Sequence, residues 1–403
     1  MNYFTRQMEQ SILKASKTFP VIMVCGQRQT GKSTMLKHLA EADRKYVTFD
    51  DTKARLLAIN DPDLFFETYG YKLIIDEFQR VPSILLEIKK IVDEKGENGM
   101  FWLSGSQKFV MMKNVSESLA GRVAVFDLLP LSHNEIICDI KEPFSPDLNS
   151  LKQRTFHTRT QIEVFEDIFK GGLPKIALNN DVDRDIYYSS YVNTYIERDI
   201  SSLEQVGKLE EFRAFLTYMA ATTAQELKYD AISNVVGVSA PTIKQWVSIL
   251  ERSGIIYIVK PYSSNITNRL VKTPKCYFVD TGLAAYLTSW PSAETLMNGN
   301  AAGAFFETYV VSEILKGYTN TGKPANLYYY RDTDKKEIDL MIVGHDFLCP
   351  IEIKKGKTPS NANKNFSVLN KFEQKKYPGL IICMANELFP INNTAWYCPI
   401  DII

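Results

Sequence analysis

Gly26, Gly31, Lys32 and Ser33 stand at the spacing G-x-x-x-x-G-K-S within VIMVCGQRQTGKST, residues 21–34. Those residue types at that spacing describe a phosphate-binding loop. Glycines let backbone N–H groups turn inward around a polyphosphate, and the helix that follows points its positive dipole end at the anion. Gly26, Gln27, Arg28, Gln29, Thr30, Gly31, Lys32, Ser33 and Thr34 are then the residues expected to cradle ATP. Lys32 would reach the β and γ phosphates, and the Ser33 hydroxyl would sit on Mg²⁺. The acids such a loop needs stand in KLIIDEFQRVP, residues 72–82, where an apolar run ends in Asp76 and Glu77. Asp76 would order Mg²⁺ through water, and Glu77 would polarise the attacking water. After MFWL, Ser104, Ser106 and Gln107 are candidate sensors of the γ phosphate. Arg122, in SLAGR, either stabilises developing phosphate charge, in its own chain or from an adjacent subunit, or is a salt-bridged turn residue. Asp50 and Asp51 either hold a Mg²⁺ water or form a surface turn.

A second constellation lies near the carboxyl end. Glu307 falls on a helical stripe with Phe305, Phe306, Val310 and Ile314, and Asp339 stands in KKEIDLMIV. In PIEIKKG, Glu352 and Lys354 are two apart and so share one face of a strand. Glu, then Asp, then E-x-K is the arrangement of PD-(D/E)XK nucleases. Three converging acids raise one another's pKa unless a divalent ion neutralises them, and a lysine beside them can place the nucleophilic water. On that reading Asp339 and Glu352 hold metal and Glu307 and Lys354 complete the site. The alternative is an ordinary charged strand pair in a nuclease fold without activity.

Apolar periodicity and turn residues supply the elements that must position these groups. The expected class is α/β: a P-loop NTPase parallel sheet with a helical lid, then a winged helix, then a carboxyl-terminal α/β nuclease-like domain. The corresponding borders are 1–145 for the ATPase core, 146–206 for the lid, 207–289 for the winged helix and 290–403 for the nuclease-like domain. In the lid, Gly171, Gly172 and Pro174 of GGLP either shape the adenine side of the nucleotide or form an interhelical turn, and Arg198 and Asp199 of YIERDI could be a surface pair. Ser239 suits an N-cap and Pro241 a first helical turn, with Ile243, Trp246, Val247 and Leu250 as the buried stripe. That helix would expose Thr242, Lys244 and Gln245, for DNA or for a protein contact. The chain holds 47 Lys plus Arg against 47 Asp plus Glu, so no global field attracts polyanions and any DNA contact needs a local patch. Six scattered cysteines without a C-x-x-C pair fit reduced thiols in a cytosol. With no signal-peptide core and no apolar run of membrane-spanning length, a cytoplasmic protein is expected.

In order along the chain, GQRQTGKST, IIDEFQRVP, SGSQ, SLAGR, GGLP, YIERDI, FFETYVVSE, EIDLMIV and IEIKKG resemble a family of prokaryotic AAA-type ATP-binding proteins that carry an uncharacterised carboxyl-terminal domain. The resemblance runs nearly end to end. It implies an ATPase core related to the signal-transduction class, then a winged helix, then a nuclease-like fold, with ATP and Mg²⁺ as ligands. Ser33 stands where threonine is frequent in the family, which keeps the metal-binding hydroxyl. DNA, a protein partner and a second copy of the chain stay open as partners.

Overall fold

The computed structural model describes residues 3–106, 115, 118–196, 209–263 and 273–403. Gln107, Arg198 and Asp199 lie outside the described residues.

VIMVC, LIID and FWLS are apolar at nearly every position, as parallel strands covered on both faces must be. They form β1 (Val21–Cys25), β3 (Leu73–Asp76) and β4 (Phe101–Ser104), joined by β2 (Lys45–Thr48) and β5 (Val123–Asp127) in the order β2-β3-β4-β1-β5. All four pairings are parallel. The register sets Val24 beside Ser104 and Ser104 beside Asp76, so the carboxyl ends of β1, β4 and β3 are level. Alternation divides β1 between two cores. Val21, Met23 and Cys25 pack with α3 (Thr52–Asn60), α4 (Pro62–Tyr69) and α5 (Ile84–Lys95). Ile22 and Val24 pack with Met8 and Ile12 of the leading helical segment, whose regular helix is α1 (Glu9–Ala15), and with Met35 and Leu36 of α2 (Lys32–Leu39). Each fully buried Ile, Met or Val there contributes about 1.5–3 kcal/mol.

From Leu129 onward most buried apolar side chains share one core, with smaller clusters around Tyr262, Met341 and Phe372 and around Ile381 and Ala395. It draws on Phe165 of α6 (Gln161–Lys170), Tyr188 of α7 (Arg184–Tyr191), Phe215 of α8 (Leu209–Ala221) and Ile232 of α9 (Tyr229–Val236). Trp246 of α10 (Ala240–Arg252), Leu283 of α11 (Thr281–Leu287), Ile314 of α12 (Ala302–Thr319) and strand residues as far as Cys398 join them. The expected borders at 207 and 290 therefore do not separate independent cores. Periodicity shows that a helix has an apolar face, but not which neighbour covers it.

Strands β6 (Gln225–Glu226), β7 (Ile256–Pro261) and β8 (Lys275–Phe278) follow or interleave with α8, α9 and α10 and lie in the order β6-β8-β7. The Ser239 side chain caps α10 by accepting from Thr242 N, and Gly237 ends α9 at φ 80°. Trp246 packs against Phe212 and Phe215 at 5.2 and 5.3 Å. Beyond α12, β9 (Leu327–Arg331), β10 (Glu337–Val343) and β11 (Phe347–Ile353) form an antiparallel meander. β12 (Lys375–Lys376) and β13 (Gly379–Cys383) pair parallel with β11; β15 (Ala395–Pro399) pairs parallel with β13, and β14 (Phe389–Asn392) edges the sheet. β7 pairs with β9 at Lys260–Tyr328 and Pro261–Tyr329, which makes the two sheets continuous.

Candidate active sites

The loop after β1 is shaped by its backbone. Gly26 has φ 144°, and a Cβ there would stand 2.2 Å from the Leu128 carbonyl oxygen, so only glycine fits. Gln29 and Gly31 are left-handed at φ 63° and 90°, and α2 opens at Lys32. Lys32 is buried, and its Nζ donates to the carbonyls of Gly26 (3.0 Å) and Gln27 (2.6 Å). Burial lowers its pKa to about 8 against the pull of Glu77 and Asp76. Asp76 is the hub of the site: Oδ2 accepts from Ser33 Oγ and Tyr46 Oη, both at 2.8 Å, and Oδ1 accepts from Ser104 Oγ at 2.5 Å. Glu77 is left-handed at φ 53°, a conformation that costs a non-glycine residue about 1–3 kcal/mol. Burial raises its pKa against the Arg28 charge, and Gln79 Nε2 donates to its Oε2. Ser106 Oγ is buried without a hydrogen-bond partner among the described residues. A hydroxyl and a carboxylate joined at 2.8 Å form an all-oxygen donor set of the kind a hard ion such as Mg²⁺ takes.

Other candidates are placed elsewhere. Arg122 precedes β5 at the rim opposite the loop: its carbonyl accepts from Val21 N at 3.2 Å, and Val123 registers beside Val21. Its guanidinium pairs with Asp93 at 2.6 and 2.9 Å. This corrects the expectation of an arginine reaching the phosphate within its own chain, because the whole length of β1 intervenes. Asp50 pairs with Arg80 at 2.6 Å and Asp51 caps α3, so both serve the surface turn. GGLP is a tight joint. Gly172 N donates to Asp280 Oδ2 at 2.8 Å, its carbonyl accepts from Leu131 N at 2.8 Å, and Pro174 opens the helical turn Pro174–Ala177.

The phosphate loop is gripped from two sides by groups that its motif does not reveal. Tyr187 Oη donates to Gln29 Oε1 at 2.5 Å and Tyr191 Oη to Gln27 Oε1 at 3.3 Å, both from α7. Gln27 Nε2 donates to the carbonyl of Gly254, just before β7. Arg6 is buried beneath the loop. It donates to Thr30 O and Leu129 O, both at 2.8 Å, and pairs with Glu135 at 3.0 Å. Glu135 in turn accepts from Asn320, past the end of α12, at 3.0 Å. A signal for Glu135 existed in the capping box Ser132-x-x-Glu135. A lone arginine near the amino terminus carries none.

In the carboxyl-terminal sheet, Lys354 Nζ lies between Asp339 Oδ2 (3.0 Å) and Glu352 Oε1 (2.8 Å), and Asp339 also accepts from Ile353 N at 2.9 Å. Glu307 Oε1 accepts from Tyr277 Oη (2.7 Å) and Lys275 Nζ (3.1 Å), both from β8. Burial, reinforced by the Asp339 charge, pushes Glu307 and Glu352 up to about 7. Glu352 Oε2 is buried with no hydrogen-bond partner among the described residues. Among the described residues no three His, Cys, Asp or Glu side chains are grouped to hold a metal ion. Two lysines stand among the expected acids, Lys275 beside Glu307 and Lys354 between Asp339 and Glu352. Lys275 and Tyr277 were not anticipated, although K-C-Y puts both on one face of a strand. On α10, Lys244 and Gln245 are exposed, and Thr242 is tied to Ser239 at 2.9 Å. No helix among the described residues is long and apolar enough to cross a membrane.

Residues 18–137 match a family model described as an AAA domain. Residues 162–294 and 302–403 match two families described as domains of unknown function, DUF8612 and DUF4143. The chain is similar to uncharacterized protein Rv2008c of Mycobacterium tuberculosis, 25% identical over 400 residues, 99% of this chain and 84% of the relative. Uncharacterized protein MJ1544 of Methanocaldococcus jannaschii is 21% identical over 347 residues, 80% of this chain and 72% of the relative. Among solved structures, the Walker-type ATPase paby2304 of Pyrococcus abyssi aligns with a TM-score of 0.39 at 16% identity, covering 71% of this chain and 96% of that one. Family match and site geometry agree on one statement: residues 18–137 form an ATPase-like P-loop domain.

Proposed function

We propose that the chain is a Mg²⁺-dependent ATPase whose nucleotide state controls the winged-helix and nuclease-like segments. The observation that carries this reading is the hub at Asp76, where Ser33 of the loop and Ser104 of β4 meet one carboxylate with Lys32 and Glu77 alongside. Lys32 would exchange its two loop carbonyls for phosphate oxygens, and Ser33 and Asp76 would hold the metal. A Mg²⁺ ion held by Ser33 and Asp76 would supply charge neutralisation for the phosphates. Glu77 would accept the proton of the attacking water, and its raised pKa would make it a better base than an exposed carboxylate. Ser106 offers a free hydroxyl for the γ phosphate. The path to the rest of the molecule runs through Gln27 and Gln29 to α7 and Gly254. A role for Arg122 would need a second copy of the chain, and Pro174 would border the adenine. Cysteines in the thiol form, mostly buried, suit a cytoplasmic setting. Lys32→Ala is expected to abolish ATP binding measured by calorimetry; unchanged affinity contradicts the assignment.

A second reading is favoured by the unpartnered Glu352 Oε2 beside Asp339 and Lys354. Helix α12, the β9-β10-β11 meander and parallel β13 support a nuclease-like fold, and α8, β6, α9, α10, β7 and β8 in chain order, with the strands side by side as β6-β8-β7, support a winged helix. ATP would then license DNA cleavage at Glu307, Asp339, Glu352 and Lys354. Nicking that requires Mg²⁺ or Mn²⁺ and disappears in Asp339→Ala is the expected result, and cleavage surviving in that variant rejects the site. Very slow ATP turnover with a large ATP-dependent change of shape would favour a nucleotide switch instead.

A further inference from the structure

The acids of the carboxyl-terminal site are not supplied with counter-charge by their own segment alone. Lys275 comes from β8, in the sheet of the preceding segment, and only 4% of it is exposed. Its ammonium lies between Glu307 Oε1 at 3.1 Å and Glu337 Oε1 at 2.7 Å. On the Glu337 side it also lines a cavity of about 440 Å³, walled by Glu226, Arg331 and Glu337. Arg331 bridges Glu226 at 2.9 Å and Glu337 at 3.6 Å. An alternating row, Glu226, Arg331, Glu337, Lys275, Glu307, thus runs from the cavity into the acid site.

We propose that Lys275 is a built-in competitor for a divalent cation: it occupies Glu307, and an ion binds at Glu307, Asp339 and Glu352 by displacing it toward Glu337. This rests on the nuclease-like reading of the site. Two observations favour an exchange over a fixed ion pair. Glu352 Oε2 is buried and unpartnered in a residue 9% exposed, so the site retains an unused ligand atom. Lys275 has a second carboxylate and open volume beside it, so it can leave Glu307 without becoming a buried, unpaired charge. Charge agrees as well. With Lys275 drawn to Glu337, three carboxylates and the Lys354 ammonium leave two negative charges, matching one divalent ion. The exchange is also connected to the nucleotide. β8 pairs with β7, and β7 follows Gly254, whose carbonyl accepts from Gln27 of the phosphate loop.

The test is Mn²⁺ binding to the full-length, nucleotide-free protein, followed by calorimetry and by the spin-resonance signal of free Mn²⁺. Asp339→Asn identifies the part of binding that belongs to this site. Lys275→Met, which keeps the apolar stem without the charge, is expected to bind Mn²⁺ at least about tenfold tighter than wild type, the low end of what a close charge pair contributes. The gain should vanish in the double variant with Asp339→Asn. Glu337→Gln removes the carboxylate that receives Lys275 and is expected to weaken Mn²⁺ binding, which keeps the proposal testable if Lys275→Met does not fold. Asp339-dependent binding that is equally tight in wild type and Lys275→Met, or tightened by Glu337→Gln, overturns the competitor while leaving the metal site standing. If no variant shows Asp339-dependent binding at millimolar Mn²⁺, the metal site itself fails and the competitor with it.

Discussion

Lys32 is a cation kept in a dry place by two carbonyl oxygens, and that has a measurable consequence. Burial lowers its pKa to about 8 in the nucleotide-free protein. A phosphate favours the charged form, so the bound pKa must be higher than the free one. Below pH 8 the ammonium is present before ATP arrives; above it, binding must first take up a proton. ATP affinity is therefore expected to be flat below pH 8 and to fall about tenfold per pH unit above it, until the bound lysine also titrates. Calorimetry at pH 9 in two buffers of different protonation enthalpy should register that proton uptake; no uptake would place the charge elsewhere. The loop residues are legible because eight consecutive positions, Gly26 to Ser33, hold the whole signal. Arg6, Lys275 and Tyr277 are not, because each acts on a residue at least 24 positions away, as with Arg6 on Thr30 and Lys275 on Glu307.

At the scale of elements, strands ending in acids and a capped helix with a four-residue stripe could be read directly. Ser239, Pro241 and Trp246 stand on α10 as their types require. What periodicity could not state is that the stripe of α10 belongs to the same core as α6 and α12. Trp246 is 2% exposed and meets Phe212 edge-on at 5.2 Å. Trp246→Ala should cost about 3–5 kcal/mol. Because the core is shared, hydrogen exchange should quicken together in peptides spanning 161–170, 240–252 and 302–319. Loss confined to 240–252 would mean that the helices unfold independently.

Over the whole molecule, the parallel sheet is legible because its central strands are apolar on both faces, whereas the order β2-β3-β4-β1-β5 is not. The joints are not legible. Gln27 reaching Gly254, Arg6 and Asn320 meeting at Glu135, and β7 pairing with β9 join stretches distant in the sequence. Through Gln27 and Arg6 they tie the phosphate loop to later segments, the path that the proposed nucleotide signal would take. If the loop and its acids form an ATPase, Glu77 separates binding from hydrolysis. Phosphate release and ATP affinity should be measured side by side for the wild type and Glu77→Gln. The account predicts affinity within a few-fold of wild type and turnover lower by about 10²–10⁴-fold; turnover retained in Glu77→Gln would contradict it.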